Sequence, residues 1–122
     1  MAKRVLTVDD SATVRQVLSM TLSEAGYNVT EADNGANALQ SFDNDCFDLV
    51  VTDLNMPRMD GIDLIRQIRS RAGTRFLPII MLTTESQPER KQEGKKAGAS
   101  GWITKPFRPE QLLAVVRMIC PN

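Results

Sequence analysis

Leu49-Val50-Val51-Thr52 is a short, β-branched run that the acid Asp53 follows. Such a run reads as a strand. Because it is nearly all apolar, it reads as a central strand covered on both sides. Leu77 to Leu82 has the same character, and Val5 to Val8, Gly101 to Thr104 and the weaker Asn28 to Ala32 are further strand candidates. Helical patterns separate them. Val14, Val17, Leu18, Thr21, Leu22 and Ala25 keep to one helical face, and Gly26 ends that helix. Asn34-Gly35 opens a second helix with Ala38, Leu39 and Phe42 inward, and a third starts near Asp60-Gly61 and presents Ile62, Ile65 and Ile68. Ser86, Pro88 and Glu89 suggest a capped start for a fourth, which Gly98 closes. A fifth begins near Pro109 and buries Leu112, Leu113, Val116 and Ile119.

Five β-α repeats predict an α/β fold, a three-layer (βα)5 sandwich whose five-stranded sheet is parallel with helices on both faces. The strand order 2-1-3-4-5 is carried over from flavodoxin-like folds rather than derived from the residues. The 122 residues suit a single domain over 1–122, with no output domain expected. Lys and Arg together number 15, as do Asp and Glu, and this balance argues against nucleic acid as the main partner. Cys46 and Cys120 form no CxxC and read as reduced thiols of a cytoplasmic protein. The apolar run cut off by Asp9 is too short for a signal peptide or membrane span. Histidine is absent, which removes Ser-His-Asp and Cys-His nucleophilic sites, His-ligated zinc and an internal histidine phosphate.

In such sheets ligands bind at the carboxyl ends of the strands. Those ends carry Asp9-Asp10, then Asp53 followed by Asn55, then Thr83-Thr84, then Lys105-Pro106. Three carboxylates together repel one another and raise each other's pKa. Mg²⁺ relieves that, accepting a few carboxylates and a carbonyl while keeping several waters. Three carboxylates, Lys105 and Mg²⁺ sum to zero formal charge. An exposed carboxylate in this setting is a nucleophile toward phosphorus, with Lys105 and the Thr83 hydroxyl on the phosphoryl oxygens. Each residue alone has an ordinary reading. A strand-end aspartate is usually a turn residue or a cap, Asp10 or Ser11 for the first helix and Asp60 for the third. From the residues alone the joint site stands level with a flavodoxin-like nucleotide or flavin binder, against which the missing GxGxxG and Walker A signatures count.

Several segments carry a family pattern: Val5 to Ser11, Asp48 to Asp53, Asn55-Met56-Pro57-Arg58-Met59-Asp60-Gly61, Leu82-Thr83-Thr84-Glu85, Ala97 to Gly101 and Thr104-Lys105-Pro106-Phe107. Over essentially its whole length the chain resembles the receiver domains of two-component response regulators, most of all the stand-alone chemotaxis type. The resemblance implies that Asp53 is the phosphoacceptor. It implies that Asp10, Asp53 and the Asn55 carbonyl bind Mg²⁺ directly, with Asp9 acting through a metal-bound water. Thr83 and Lys105 match the phosphoryl-sensing pair. The implied donor is a histidine sensor kinase, the implied target a flagellar motor switch protein, and a phosphatase is a further partner. The implied output face comprises the fourth helix, fifth strand and fifth helix of a monomeric switch that turns over no external substrate.

Two departures stand out. Trp102 takes the place of the usual Tyr or Phe of the aromatic switch, and Thr84 that of a small residue, which narrows access to the phosphoryl group. The indole is either a switch that rotates inward or a half-buried anchor. The fourth helix is rich in cations, either as a solvated face or for an acidic partner segment, and its Gly94 costs about 1 kcal/mol relative to Ala. Two other functions are compatible with these residues: a phosphorelay carrier, and a Mg²⁺-dependent phosphatase using Asp53 covalently. Against the phosphatase, Asn55 stands where its general acid would be, and 122 residues leave no room for a substrate cap.

Overall fold

The Leu49-Asp53 run lies at the centre of the sheet, and all five of its residues are buried. The computed structural model describes residues 2–84 and 88–122. Its elements are β1 (Arg4–Val8), α1 (Ala12–Glu24), β2 (Asn28–Ala32), α2 (Gly35–Asn44), β3 (Leu49–Asp53), α3 (Gly61–Ser70), a 3₁₀ turn (Ala72–Thr74), β4 (Ile79–Thr83), α4 (Pro88–Ala97), β5 (Gly101–Thr104) and α5 (Pro109–Ile119). The strands are all parallel, in the order β2-β1-β3-β4-β5. The α/β sandwich expected from the alternation is therefore present.

The two-residue period of the strands divides the core. Leu6, Val8, Val50, Ile79 and Met81 face α2 and α3, packing with Ala38, Ile62, Ile65 and Ile68. Val5, Leu49, Val51, Ile80, Leu82 and Ile103 face α1 and α5, packing with Leu18, Leu22, Leu112 and Val116. Each large aliphatic side chain so buried contributes about 1.5–3 kcal/mol. Slipping β3 by one residue would exchange the two sets and put Asp53 out of line with its neighbours.

Capping settles which acids are free for chemistry. Ser11 Oγ accepts the Val14 N–H at 3.3 Å, so Ser11, not Asp10, caps α1. Asp60 Oδ1 accepts the Asp63 N–H at 2.9 Å and caps α3. Ser86, expected to cap α4, and Glu85 lie outside the described residues.

Three boundaries differ from expectation. β4 starts at Ile79 rather than Leu77: Pro78 lends its carbonyl to the Val50 N–H but has no N–H of its own for the ladder. β3 and β4 each run one residue further, to Asp53 and Thr83, so both site residues are held within the ladder. Val17 is 41% exposed, so the inward stripe of α1 is narrower than its apolar pattern suggested.

Candidate functional site

β1 delivers Asp9 to the end of the sheet, where its N–H donates to the Ala32 carbonyl at 3.2 Å. Its side chain has no solvent exposure. One oxygen, Oδ1, accepts the Ser11 N–H at 2.9 Å. The other faces Lys105, whose Nζ donates to Asp9 Oδ2 at 2.9 Å and lies 3.2 Å from Asp53 Oδ1. Arg15 of α1 reaches back and donates to the Asp9 carbonyl at 2.6 Å, which ties the first turn of the helix to the strand end. Asp10 is exposed at the rim.

A carboxylate oxygen from each of Asp9, Asp10 and Asp53 falls within a group no more than 4.8 Å across. Asp53 closes β3 and is only 5% exposed. Burial pushes its carboxyl up from the ordinary carboxylate range, Asp9 pushes it further, and Lys105 and the Asn55 N–H oppose without winning. Burial alone would lower Lys105, but its hydrogen bond to Asp9 and the charge of Asp53 prevail and raise it. The lysine is thus held charged. It neutralises one of three acids and leaves two formal negative charges in the cluster.

That donor set fits a hard divalent cation: all three side-chain groups are carboxylates, and two are buried and already charge-crowded. Because Lys105 holds the Asp9–Asp53 side, Asp10 and the rim form the open side. Asn55 is exposed two residues past Asp53. Thr83 is fully buried at the end of β4, and Thr84 beside it is exposed. The Lys105 N–H donates to the Thr83 carbonyl at 2.9 Å, which fixes the lysine's strand end to that of the threonine. The Lys105–Pro106 peptide is cis. The structure thus brings Asp9, Asp10, Asp53 and Lys105 into one cluster, with Thr83 and Asn55 at adjoining strand ends.

Trp102 lies apart from this cluster. Its ring is partly buried, packed on the α2–α3 side of the sheet and against α4. Two glycines that the sequence reading did not assign to the site support it. Gly61 begins α3 directly over the Asp53 peptide, and Gly94 lies against the edge of the indole. The signal for Gly94 was a glycine in mid-helix eight residues before the only tryptophan. α4 is also joined to α3 by Arg90, whose Nη2 lies 3.1 Å from Asp60 Oδ2.

Comparison with known proteins agrees with this arrangement. The family model described as the response regulator receiver domain matches residues 5–117. The chain is 44% identical over 105 residues to the chemotaxis protein CheY-3 of Vibrio cholerae, covering 85% of this chain and 81% of that one. The crystal structure of chemotaxis protein CheY4 of Vibrio cholerae superposes with a TM-score of 0.94 at 45% identity, covering 98% of this chain and 99% of that chain. The receiver domain of a Pseudomonas aeruginosa sensor histidine kinase, solved with a magnesium ion coordinated in its active-site cleft, superposes with a TM-score of 0.90 at 26% identity and full coverage of both chains.

Proposed function

Since this chain belongs to the response regulator receiver domains, we propose that it is a chemotaxis-type switch in which Asp53 accepts a phosphoryl group from the phosphohistidine of a sensor kinase. The observation that carries this reading is the contact of Lys105 with both Asp9 and Asp53 beside the exposed Asp10. In the reaction an Asp53 carboxylate oxygen attacks phosphorus, the P–N bond breaks, and the donor imidazole keeps the electron pair. The carboxylate becomes an acyl phosphate, and the site gains one negative charge. Asp53 must be ionised to attack, and Lys105 balances charge on the phosphoryl oxygens as they approach. Asp10, Asp53 and the Asn55 carbonyl would hold Mg²⁺, with Asp9 acting through a bound water, and the ion would supply further charge neutralisation and orientation. The receiver acts as a cytoplasmic monomer. It is a switch rather than an enzyme with an external substrate.

The target is a flagellar motor switch protein that binds the α4-β5-α5 face, and a phosphatase resets the switch. That face carries a groove of about 440 Å³ lined by Trp102, Thr104, Gln111 and Val115. Along α4, Lys95 and Lys96 are exposed and suit an acidic partner segment. The phosphorelay alternative predicts return transfer to a histidine protein, which a two-component transfer assay distinguishes from stable binding to a switch peptide.

Two outcomes follow. Mg²⁺ binds with about millimolar affinity, as an ion with few protein ligands and several retained waters should, and Asp10→Asn removes that binding in a calorimetric titration. Unchanged affinity in the variant would move the metal elsewhere. Lys105→Ala still accepts phosphate from acetyl phosphate, but its affinity for an acidic switch-type peptide no longer rises on phosphorylation. A normal rise would remove the coupling role from Lys105, which links the acids to the end of β5 and, through its N–H, to Thr83.

A further inference from the structure

Glycine in a helix interior disfavours the helix, because its backbone has more freedom to lose than that of alanine. Gly94 occupies the middle of α4 and is the one buried residue among that helix's described positions. No positive φ demands a glycine there. The reason is steric. A Cβ on Gly94 would stand 2.7 Å from Trp102 Cζ2 and closer still to Cη2, the far edge of the indole. β5 pairs on one side with β4, where Trp102 lies in register with Met81. The ring therefore spans from the last strand of the sheet to the backbone of α4, while Ala97 and Ala99, small residues near the helix end, pack on the same core.

We propose that Gly94 is the positioning residue for Trp102: the notch it leaves in α4 seats the indole, so the ring and the helix form one interlocked unit. A ring held this way cannot exchange rotamers independently of α4, because the notch that admits it is part of the helix backbone. Any displacement of α4 carries the ring with it, and any departure of the ring opens a gap beneath α4. The relevance of this unit to signalling rests on the receiver reading above. The seating itself does not, and is tested on the unphosphorylated protein.

The experiment uses the full chain and two readouts. Trp102 is the only tryptophan, so emission reports its environment alone. Gly94→Ala should shift that emission to the red and raise iodide quenching about twofold, as the ring leaves the notch for solvent. Thermal melting of Gly94→Ala, Trp102→Val and the double variant gives the second readout, since contacting residues depart from additivity. Valine keeps a strand-favouring side chain and ends well short of α4. The alanine substitution should raise the melting midpoint clearly in the Trp102→Val background, where only its helix preference acts. In the wild-type background that gain should be absent or reversed. Equal midpoint shifts in the two backgrounds would overturn the interlock, and so would unchanged emission and quenching in Gly94→Ala.

Discussion

Asp53→Asn accepts no phosphoryl group from acetyl phosphate in the presence of Mg²⁺, and intact-mass spectrometry reads the result directly as the absence of an adduct that the wild type carries. The amide is a poor nucleophile, and no other described acid occupies the same position: Asp9 is fully buried with its oxygens engaged by Ser11 and Lys105, and Asp10 is a rim group. Labelling of the variant at the wild-type rate would dismiss Asp53 as acceptor. The same substitution should stabilise the metal-free fold. The raised pKa of Asp53 means that the folded state holds its proton more tightly than the unfolded state does. Stability from this group is therefore full below the unfolded value, near 4, and is lost as pH rises through the higher folded value. At neutral pH the ionised carboxylate works against folding. Its removal leaves Asp9, Asp10 and Lys105 with one net negative charge instead of two, so the urea midpoint of the metal-free variant should rise at neutral pH.

The architecture was legible in the sequence because two signals agreed. The strands were short and β-branched, and the intervening segments repeated with helical spacing. The central position of β3 showed in its nearly all apolar run, and its role showed in the acid that closes it. Asp9, Asp10, Asp53, Thr83 and Lys105 could be grouped from the sequence because parallel strands put their carboxyl ends on one side of the sheet. What could not be read was contact across elements. Nothing in the local pattern says that Lys105 holds the buried Asp9 as closely as Asp53, that Arg15 anchors the Asp9 carbonyl, or that Arg90 of α4 pairs with the cap of α3. These depend on where long side chains end after packing. Boundaries were missed where a single residue altered the ladder, as Pro78 does before β4. The glycines were the hardest to read, since a missing side chain has no signature except the neighbour that fills its space.

Gly61→Ala is expected to be the most damaging of the small substitutions, and it tests how tightly α3 is set against Asp53. A Cβ at position 61 would lie 2.7 Å from Met81 Sδ and 3.0 Å from Leu54 Cα, and closer than either to the Asp53 carbonyl oxygen. The thioether can move, but the backbone of β3 cannot do so cheaply. Leu54 is fixed by its N–H on the Leu82 carbonyl at 2.8 Å, and its own carbonyl accepts the Gly61 N–H at 2.9 Å. Relief must come from lifting the first turn of α3 or bending the end of β3. The first disturbs the Asp60 cap and its pair with Arg90, and the second moves the Asp53 carboxylate away from Lys105. Overpacking of this kind costs about 3 kcal/mol, and an error of about 1 Å in the nucleophile slows transfer roughly a hundredfold. Urea unfolding should show the lowered midpoint, and the rate of acetyl phosphate labelling the kinetic loss. Gly73→Ala provides the comparison, because a Cβ there meets nothing within 4 Å and its midpoint should stay near that of the wild type. If Gly61→Ala matched Gly73→Ala in both measurements, α3 would have room to yield, and the close approach of its first residue to Asp53 would not be what holds that carboxylate in place.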